Sequence, residues 1–266
     1  MTKWPGFLNN SLIVVAHPDD ELLWFASILK QVGQILMVFE DYWPDTSIGP
    51  ARAKVLETFP RRGVSSLHLA EAATYGCADW SNPKLSSVGI ELGGTAAKRD
   101  LKQRALRLAG RSKAPADGIQ ANYTTNYSRV VDALRPQLSP ETNVFTHNPW
   151  GEYGHEDHIQ VFRALDALRG EIGFKLWISN YCTERSLPLA MRYFDNRVHD
   201  FIRLPVDKDF AAEVVDCYKN AGCWTWADDW VWFDDECFME APLQPVDGGQ
   251  QGHLFPLNLF RIGEGG

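Results

Sequence analysis

The run Leu12-Ile13-Val14-Val15-Ala16 passes without a spacer into His17-Pro18-Asp19-Asp20-Glu21, and an apolar helical pattern follows at once. Continuous apolar residues rich in β-branching suit a strand covered on both faces, which is the environment of a parallel sheet. Glu21 to Val32 carries Leu22, Leu23, Phe25, Ala26, Ile28 and Leu29, and Gly33 closes it as a residue just past a helix would. Gln34 to Glu40 reads as a second buried strand through Ile35, Leu36, Met37, Val38 and Phe39. Strand, helix, strand within the first 40 residues predicts an α/β fold built on a mostly parallel sheet.

The rest of the chain extends this pattern. Helices are expected over Arg52 to Phe59, Thr95 to Leu108, Asn126 to Leu134, Asp157 to Leu168 and Asp209 to Ala221. Further strands are expected at Ser66 to Leu69, Val144 to Thr146 and Lys175 to Ser179. Residues 72 to 94 are rich in turn formers, and 109 to 120 reads as a linker. The cations of the third helix (Lys98, Arg99, Lys102, Arg104 and Arg107) read as a solvated face. No repeat and no composition break marks a boundary, so one domain is expected over 1–266.

Composition narrows the function classes. A formal charge of −8 disfavours a nucleic-acid role, because phosphate affinity rests on clustered Lys and Arg. Aromatic residues at 12% supply ample surface for a core. The N-terminus shows no long apolar segment after a basic start, and Leu12 to Ala16 is too short to span a bilayer. Five widely spaced cysteines without a CxxC pair suit reduced thiols. A cytoplasmic protein without a membrane span is therefore expected; nothing in the sequence sets an oligomeric state.

Two constellations carry chemistry. The first, His17-Pro18-Asp19-Asp20-Glu21, sits where the first strand ends, the edge at which α/β sheets bind ligands. His17 and Asp20, three apart around a turn, can converge on a divalent metal. Asp19 between them is placed to take a proton from a water. Helix capping by one of the aspartates is the structural alternative, but a cap needs one acid and here three adjoin. The second, Gly151-Glu152-Tyr153-Gly154-His155-Glu156-Asp157-His158, follows another strand end. His155 and His158 can share a face, one completing a three-ligand site and the other serving as acid or oxyanion stabiliser. His147 lies in the same loop, with turn packing as its expected role.

The pair AHPDDE and GHEDH resembles the PIG-L/LmbE-like zinc N-deacetylases, over about residues 8 to 40 and 125 to 170. The resemblance implies a Rossmann-like three-layer fold with the active site at the C-terminal strand ends. It implies His17, Asp20 and His158 as metal ligands, Asp19 as general base, and His155 as the acid or the stabilising cation. By the same resemblance Asp157 orients a histidine, Tyr153 polarises the substrate carbonyl and Arg52 binds substrate. The implied cofactor is Zn2+, with Fe2+ or another divalent ion as the alternative. The implied reaction releases acetate from an N-acetylated amino-sugar conjugate; a zinc hydrolase of another small acyl amide or ester would share these residues. A dinucleotide-binding oxidoreductase is excluded, because the first turn has acids in place of G-x-G-x-x-G. A sugar-binding module with a decayed site is disfavoured, because every candidate ligand and the base are present.

The sequence departs from the family in three places. Leu22-Leu23-Trp24-Phe25-Ala26 stands where many bacterial members are glycine-rich, Glu156 stands where proline is common, and 72–120 matches nothing in the family. Trp224, Trp226, Trp230 and Trp232 crowd one stretch before Asp234-Asp235-Glu236. Aromatic faces pack on the C–H faces of sugars, which makes Trp226 a substrate-contact candidate; core packing is the alternative, and the expected role of Trp24.

Overall fold

The computed structural model describes residues 5–108, 118–194, 201–242 and 255–262. Most of the expected linker at 109–120 lies outside that set, as do His199 and His253. In chain order the elements begin with β1 (Ser11–Val15), α1 (Asp20–Trp24), β2 (Gln34–Phe39), α2 (Ile48–Thr58) and β3 (Val64–Leu69). A small hairpin follows, β4 (Leu85–Ser86) and β5 (Gly89–Ile90), then α3 (Gly94–Leu108) and α4 (Ile119–Leu134). Next come β6 (Asn143–Thr146), α5 (Glu156–Ile172), β7 (Lys175–Ile178), β8 (Tyr181–Cys182) and α6 (Leu187–Phe194). The chain closes with β9 (Phe201–Pro205), α7 (Lys208–Asn220), β10 (Asp235–Glu240) and β11 (Asn258–Leu259).

Seven strands form the central sheet in the order β3-β2-β1-β6-β7-β10-β9. The first five are parallel, and β10 runs antiparallel to both β7 and β9. Alternation within β1 shows why its whole run is apolar. Leu12 and Val14 join the core cluster that includes Val130 of α4 and Val161, Leu165 and Leu168 of α5. Ile13 and Val15 join the opposite cluster with Leu22 of α1, Val55 of α2, and Phe210, Val214 and Tyr218 of α7. The expected three-layer α/β architecture is observed. Strand order reverses at β1, with β2 on one side and β6 on the other, so a crevice opens beyond the C-terminal ends of these two strands. No helix among the described residues is long and apolar enough to cross a membrane.

Two expectations are corrected, and one further strand is found. The helix expected over Glu21 to Val32 stops at Trp24. Continuation would need the Ala26 and Ser27 amides to donate to the carbonyls four residues back. Instead both donate to the buried Glu236 carboxylate of β10, at 3.2 and 2.9 Å, and the Leu22 carbonyl accepts the Trp232 indole N–H at 2.8 Å. Tertiary partners thus take over the helix's hydrogen bonds. The helix expected from Asn126 starts at Ile119, whose amide donates to Asp100 of α3 at 2.9 Å. The acid-rich stretch after the tryptophans supplies sheet strand β10.

Candidate active site

The loop after β1 places its three acids in three different environments. Asp19 has a left-handed backbone, φ 106°, which is strained for a residue with a side chain. Glu21 holds it there: one carboxylate oxygen accepts the Asp19 amide at 2.9 Å, and the other accepts the Tyr218 hydroxyl at 2.9 Å. Burial, with the charge of Asp19 beside it, raises the Glu21 pKa to about 8. The acidic run is therefore not three charges around a cation, because Glu21 turns into the core as a neutral clamp. Asp20 accepts the His17 amide at 2.8 Å on one oxygen and the Trp24 indole N–H at 2.9 Å on the other. Trp24 is fully buried, as expected for packing, yet it also fixes this carboxylate.

Glycine shapes the loop after β6. Gly151 has φ 66° and Gly154 φ 86°; a Cβ on Gly154 would lie 2.9 Å from the Trp80 ring, and one on Gly151 only 2.6 Å from the His155 carbonyl. Within this loop the buried Glu152 carboxylate links two imidazoles, lying 3.0 Å from His147 Nδ1 and 2.8 Å from His158 Nδ1. Burial opposes its ionisation, but His147 and His158 overcome that and hold the Glu152 pKa near about 2. An ionised Glu152 accepts from both Nδ1–H groups, which turns each Nε2 lone pair toward the sheet end. His147 is fully buried rather than a surface or simple turn residue, and its Nε2 accepts the Ala16 amide at 2.8 Å. His158 Nε2 is buried without a hydrogen-bond partner and lies 3.2 Å from Asp20.

The two loops meet in one cavity of about 860 Å³, whose lining includes His17, Asp19, Asp20, Arg52, Tyr153, His155 and Trp226. His17 Nδ1 is 3.3 Å from Asp20, and its Nε2 lies 3.3 Å from Glu71 and 3.5 Å from Asp157. Ligand atoms of His17, His155 and His158 all lie within 4.8 Å of one another. Burial opposes charge on His17 and His158, yet contacts with Asp157 and Asp20 raise His17, and Asp20 with Glu152 raises His158 to about 9. Burial likewise opposes the ionised form of Asp20, but His158 and His147 keep its carboxyl well below the usual range. Buried imidazole nitrogens lacking partners, set around an ionised carboxylate, are the donor set of a divalent metal. Asp20, His147 and His158, and likewise His17, Glu71 and Asp157, also bring ligand atoms within 4.8 Å of one another. His147 Nε2 already accepts the Ala16 amide, which leaves Asp20 and His158, with His17 Nδ1 3.3 Å from Asp20, as residues that could hold an ion.

The remaining residues surround this donor set. Burial raises the Asp19 pKa to about 6, against the lowering effects of Arg52 and Thr225. The Thr225 hydroxyl donates to Asp19 at 2.5 Å, and the Arg52 guanidinium lies 3.6 Å from the same oxygen. Arg52 also donates to the Asp41 carbonyl at 3.0 Å and to Thr225 at 3.2 Å, so this buried cation is engaged with the protein beside Asp19. His155 caps α5, its Nδ1 accepting the Asp157 amide at 3.2 Å. Burial and the charges of His158 and His17 push its pKa well below the usual value, which leaves a neutral ring with its proton on Nε2. Of the two expected roles, acid or stabilising cation, the lowered pKa disfavours the cation. Asp157 accepts the Thr74 hydroxyl at 2.9 Å and faces His17, so the histidine it contacts is identified. Glu156 binds the amides of Gly76 and Ala78 at 3.1 and 2.8 Å, tying the unmatched segment to the start of α5. Trp226 stands edge-on to Tyr153 at 5.2 Å and to Trp24 at 5.5 Å, forming a wall of the cavity. Of the basic residues on α3, Arg99 is not simply solvated; it donates to the Ala73 and Tyr75 carbonyls and lies 5.2 Å over the Trp43 ring.

Sequence reasoning missed Glu71, Glu152 and Thr225. Glu152 sits inside the second motif and its proximity to two histidines was a usable signal. Glu71 and Thr225 stand alone in sequence and reach the site only through the fold.

No family model matches the chain. Over 208 residues, 74% of this chain and 72% of the relative, it is 27% identical to a 1D-myo-inositol 2-acetamido-2-deoxy-α-D-glucopyranoside deacetylase of Saccharomonospora viridis. Among solved structures, a deacetylase of the teicoplanin biosynthesis pathway, in complex with teicoplanin, aligns with TM-score 0.47 and 10% identity over 87% of this chain and 98% of that one. An A40926 pseudoaglycone deacetylase aligns with TM-score 0.39 and 16% identity over 88% and 98%. The resemblance to PIG-L/LmbE-like deacetylases, read first from two short motifs, therefore extends in sequence over most of the chain.

Proposed function

We propose that this PIG-L/LmbE-like chain is a metal-dependent hydrolase that removes the acetyl group from an N-acetylated amino-sugar conjugate, releasing acetate and a free amine. The observation that carries the proposal is the convergence of His17, Asp20 and His158 beside Asp19 at the ends of β1 and β6. Two imidazoles, which would give up their extra protons on binding, together with one carboxylate suit zinc, with Fe2+ the other ion this donor set accepts. A divalent ion held there supplies Lewis acidity to the amide carbonyl and acidifies water.

The chain's own groups account for the proton movements. Asp19, with a pKa near about 6, accepts a proton from the attacking water and can return it to the departing nitrogen. The Thr225 hydroxyl and the Arg52 guanidinium hold the carboxylate in place. Neutral His155 donates its Nε2 proton in a hydrogen bond to the oxygen on which negative charge develops. Burial keeps the Tyr153 phenol protonated, so it is a second donor for that oxygen. Asp157 and Glu71 orient His17, and Glu152 orients His158. Trp226 offers an apolar face to the sugar ring.

Acetate release from methyl N-acetylglucosaminide, with and without chelator treatment, tests the reading. Release that stops on chelation and returns with zinc is expected. Undiminished release from fully metal-free protein would refute it.

A further inference from the structure

The cavity is divided by depth. Its floor is polar and buried: His17, Asp19, Asp20 and Arg52 are each at most 6% exposed. Its mouth is apolar and lies between two distant stretches of chain, with Trp43 on one side and Trp230, Val231, Phe260 and Ile262 on the other. Trp43 is 38% and Val231 75% exposed. Exposed large apolar side chains gathered around the mouth of a reaction site mark a surface that a ligand covers.

The mouth is also built rather than incidental. Arg99 lies over the Trp43 ring, and the Trp43 amide donates to Glu71 at 3.3 Å, which ties this wall to the floor. Opposite it, Trp230 packs edge-on against Trp226 at 5.7 Å and Phe260 at 5.3 Å. The volume of about 860 Å³ falls near the top of the roughly 300–1,000 Å³ range of sites for drug-sized ligands, which are larger than one acetamido sugar. Of the two arginines in the lining, buried Arg52 is engaged with Asp19, Thr225 and Asp41, and Arg261 is exposed at the rim, 3.6 Å from the equally exposed Glu184 carboxylate that offsets its charge. Asp229 also lines the mouth, which disfavours an anionic group there.

We propose that the mouth binds an uncharged, apolar aglycone, so that the substrate class is an N-acetylated amino sugar linked to an alkyl or aryl group rather than to a polyol or a phosphate ester. This rests on the deacetylase reading for the reaction but not for the binding. The sugar occupies the floor, with its acetamide at His155 and Asp19, and the aglycone lies between Trp43 and Trp230.

The test uses the full chain and matched N-acetylglucosaminides carrying methyl, glyceryl, n-hexyl and 2-naphthyl aglycones, in both anomers. Hydrolysis is measured on the zinc-loaded protein and binding by calorimetry on chelator-treated protein. The hexyl and naphthyl compounds are expected to exceed methyl and glyceryl at least tenfold in kcat/KM and in affinity; whichever of the two is larger separates an alkyl from an aryl group. Val231→Asp, at an exposed position that the fold does not need, is expected to shrink the hexyl-to-methyl ratio at least threefold. Equal kcat/KM and equal affinity across the four would overturn the apolar mouth while leaving the deacetylase reading intact. Absence of hydrolysis with preferential hexyl binding, reduced by Val231→Asp, would keep the mouth and remove the reaction.

Discussion

The loops after β1 and β6 and the aromatic stretch from Cys223 to Phe233 line the same cavity by opposite means. In the two loops, residues close in sequence are close in function, and spacing along the chain is already geometry. His17 and Asp20 meet because a turn brings them together, and His155 and His158 meet because α5 starts between them. The aromatic stretch has no regular element of its own. It reaches the site through contacts with residues about two hundred positions away: Thr225 with Asp19, Trp232 with Leu22, and Trp226 with Trp24. The reactive groups here are encoded locally, while the aromatic wall beside them is built by tertiary contact.

Four changes would break or sharpen that comparison. The largest effect is expected for Asp19→Asn in the first loop, which should lower kcat by about 10²–10⁴-fold with metal content unchanged, as checked by acetate release alongside metal analysis. Glu152→Gln should weaken zinc affinity by about 10–100-fold, because His158 loses its ionised partner; competition with a chromogenic chelator reads this directly. Thr225→Val, on the aromatic side, should lower kcat by about tenfold. The Thr225 hydroxyl favours the ionised form of Asp19, so its loss should also move the acidic limb of the kcat profile to higher pH. An unmoved limb would mean that the aromatic stretch does not act on the base.

The smallest effect concerns Glu236, which joins the two regions by holding the chain where α1 breaks. Burial raises its folded-state pKa from 4.5 to about 7. A carboxyl that binds its proton more tightly when folded stabilises the protein at low pH, and that stability is lost as pH rises from about 4.5 to about 7. Glu236→Gln should remove up to about 3 kcal/mol of this decline, seen as a smaller difference between urea unfolding midpoints at pH 5 and pH 8.

Much of the fold was legible because β1 and β2 are buried on both faces and show it as uninterrupted apolar runs. The limits were set by long-range hydrogen bonds. Glu21 to Val32 has a helical pattern, yet Glu236 and Trp232 take over its hydrogen bonds and end it early. His17, Asp19, Asp20, Tyr153, His155, Asp157 and His158 were all singled out from the sequence, and the structure gathers them at one sheet end. Arg52, singled out as a substrate contact, lines the cavity with its guanidinium against Asp19 and Thr225. Thr225 and Glu71 carried no sequence signal, because a lone threonine or glutamate acquires its role only from the side chain it meets.

The central claim is that His17, Asp20 and His158 hold one catalytic metal while Asp19 handles the proton. Zinc titration of the chelator-treated chain, followed calorimetrically and by acetate release in the same samples, tests it most directly. One tightly bound zinc per chain is expected, with activity rising in proportion to occupancy. Asp20→Asn and His158→Ala should lose the ion, and Asp19→Asn should keep it without activity. Stoichiometric zinc binding that survives in both ligand variants, or acetate release that does not follow occupancy, would contradict the account.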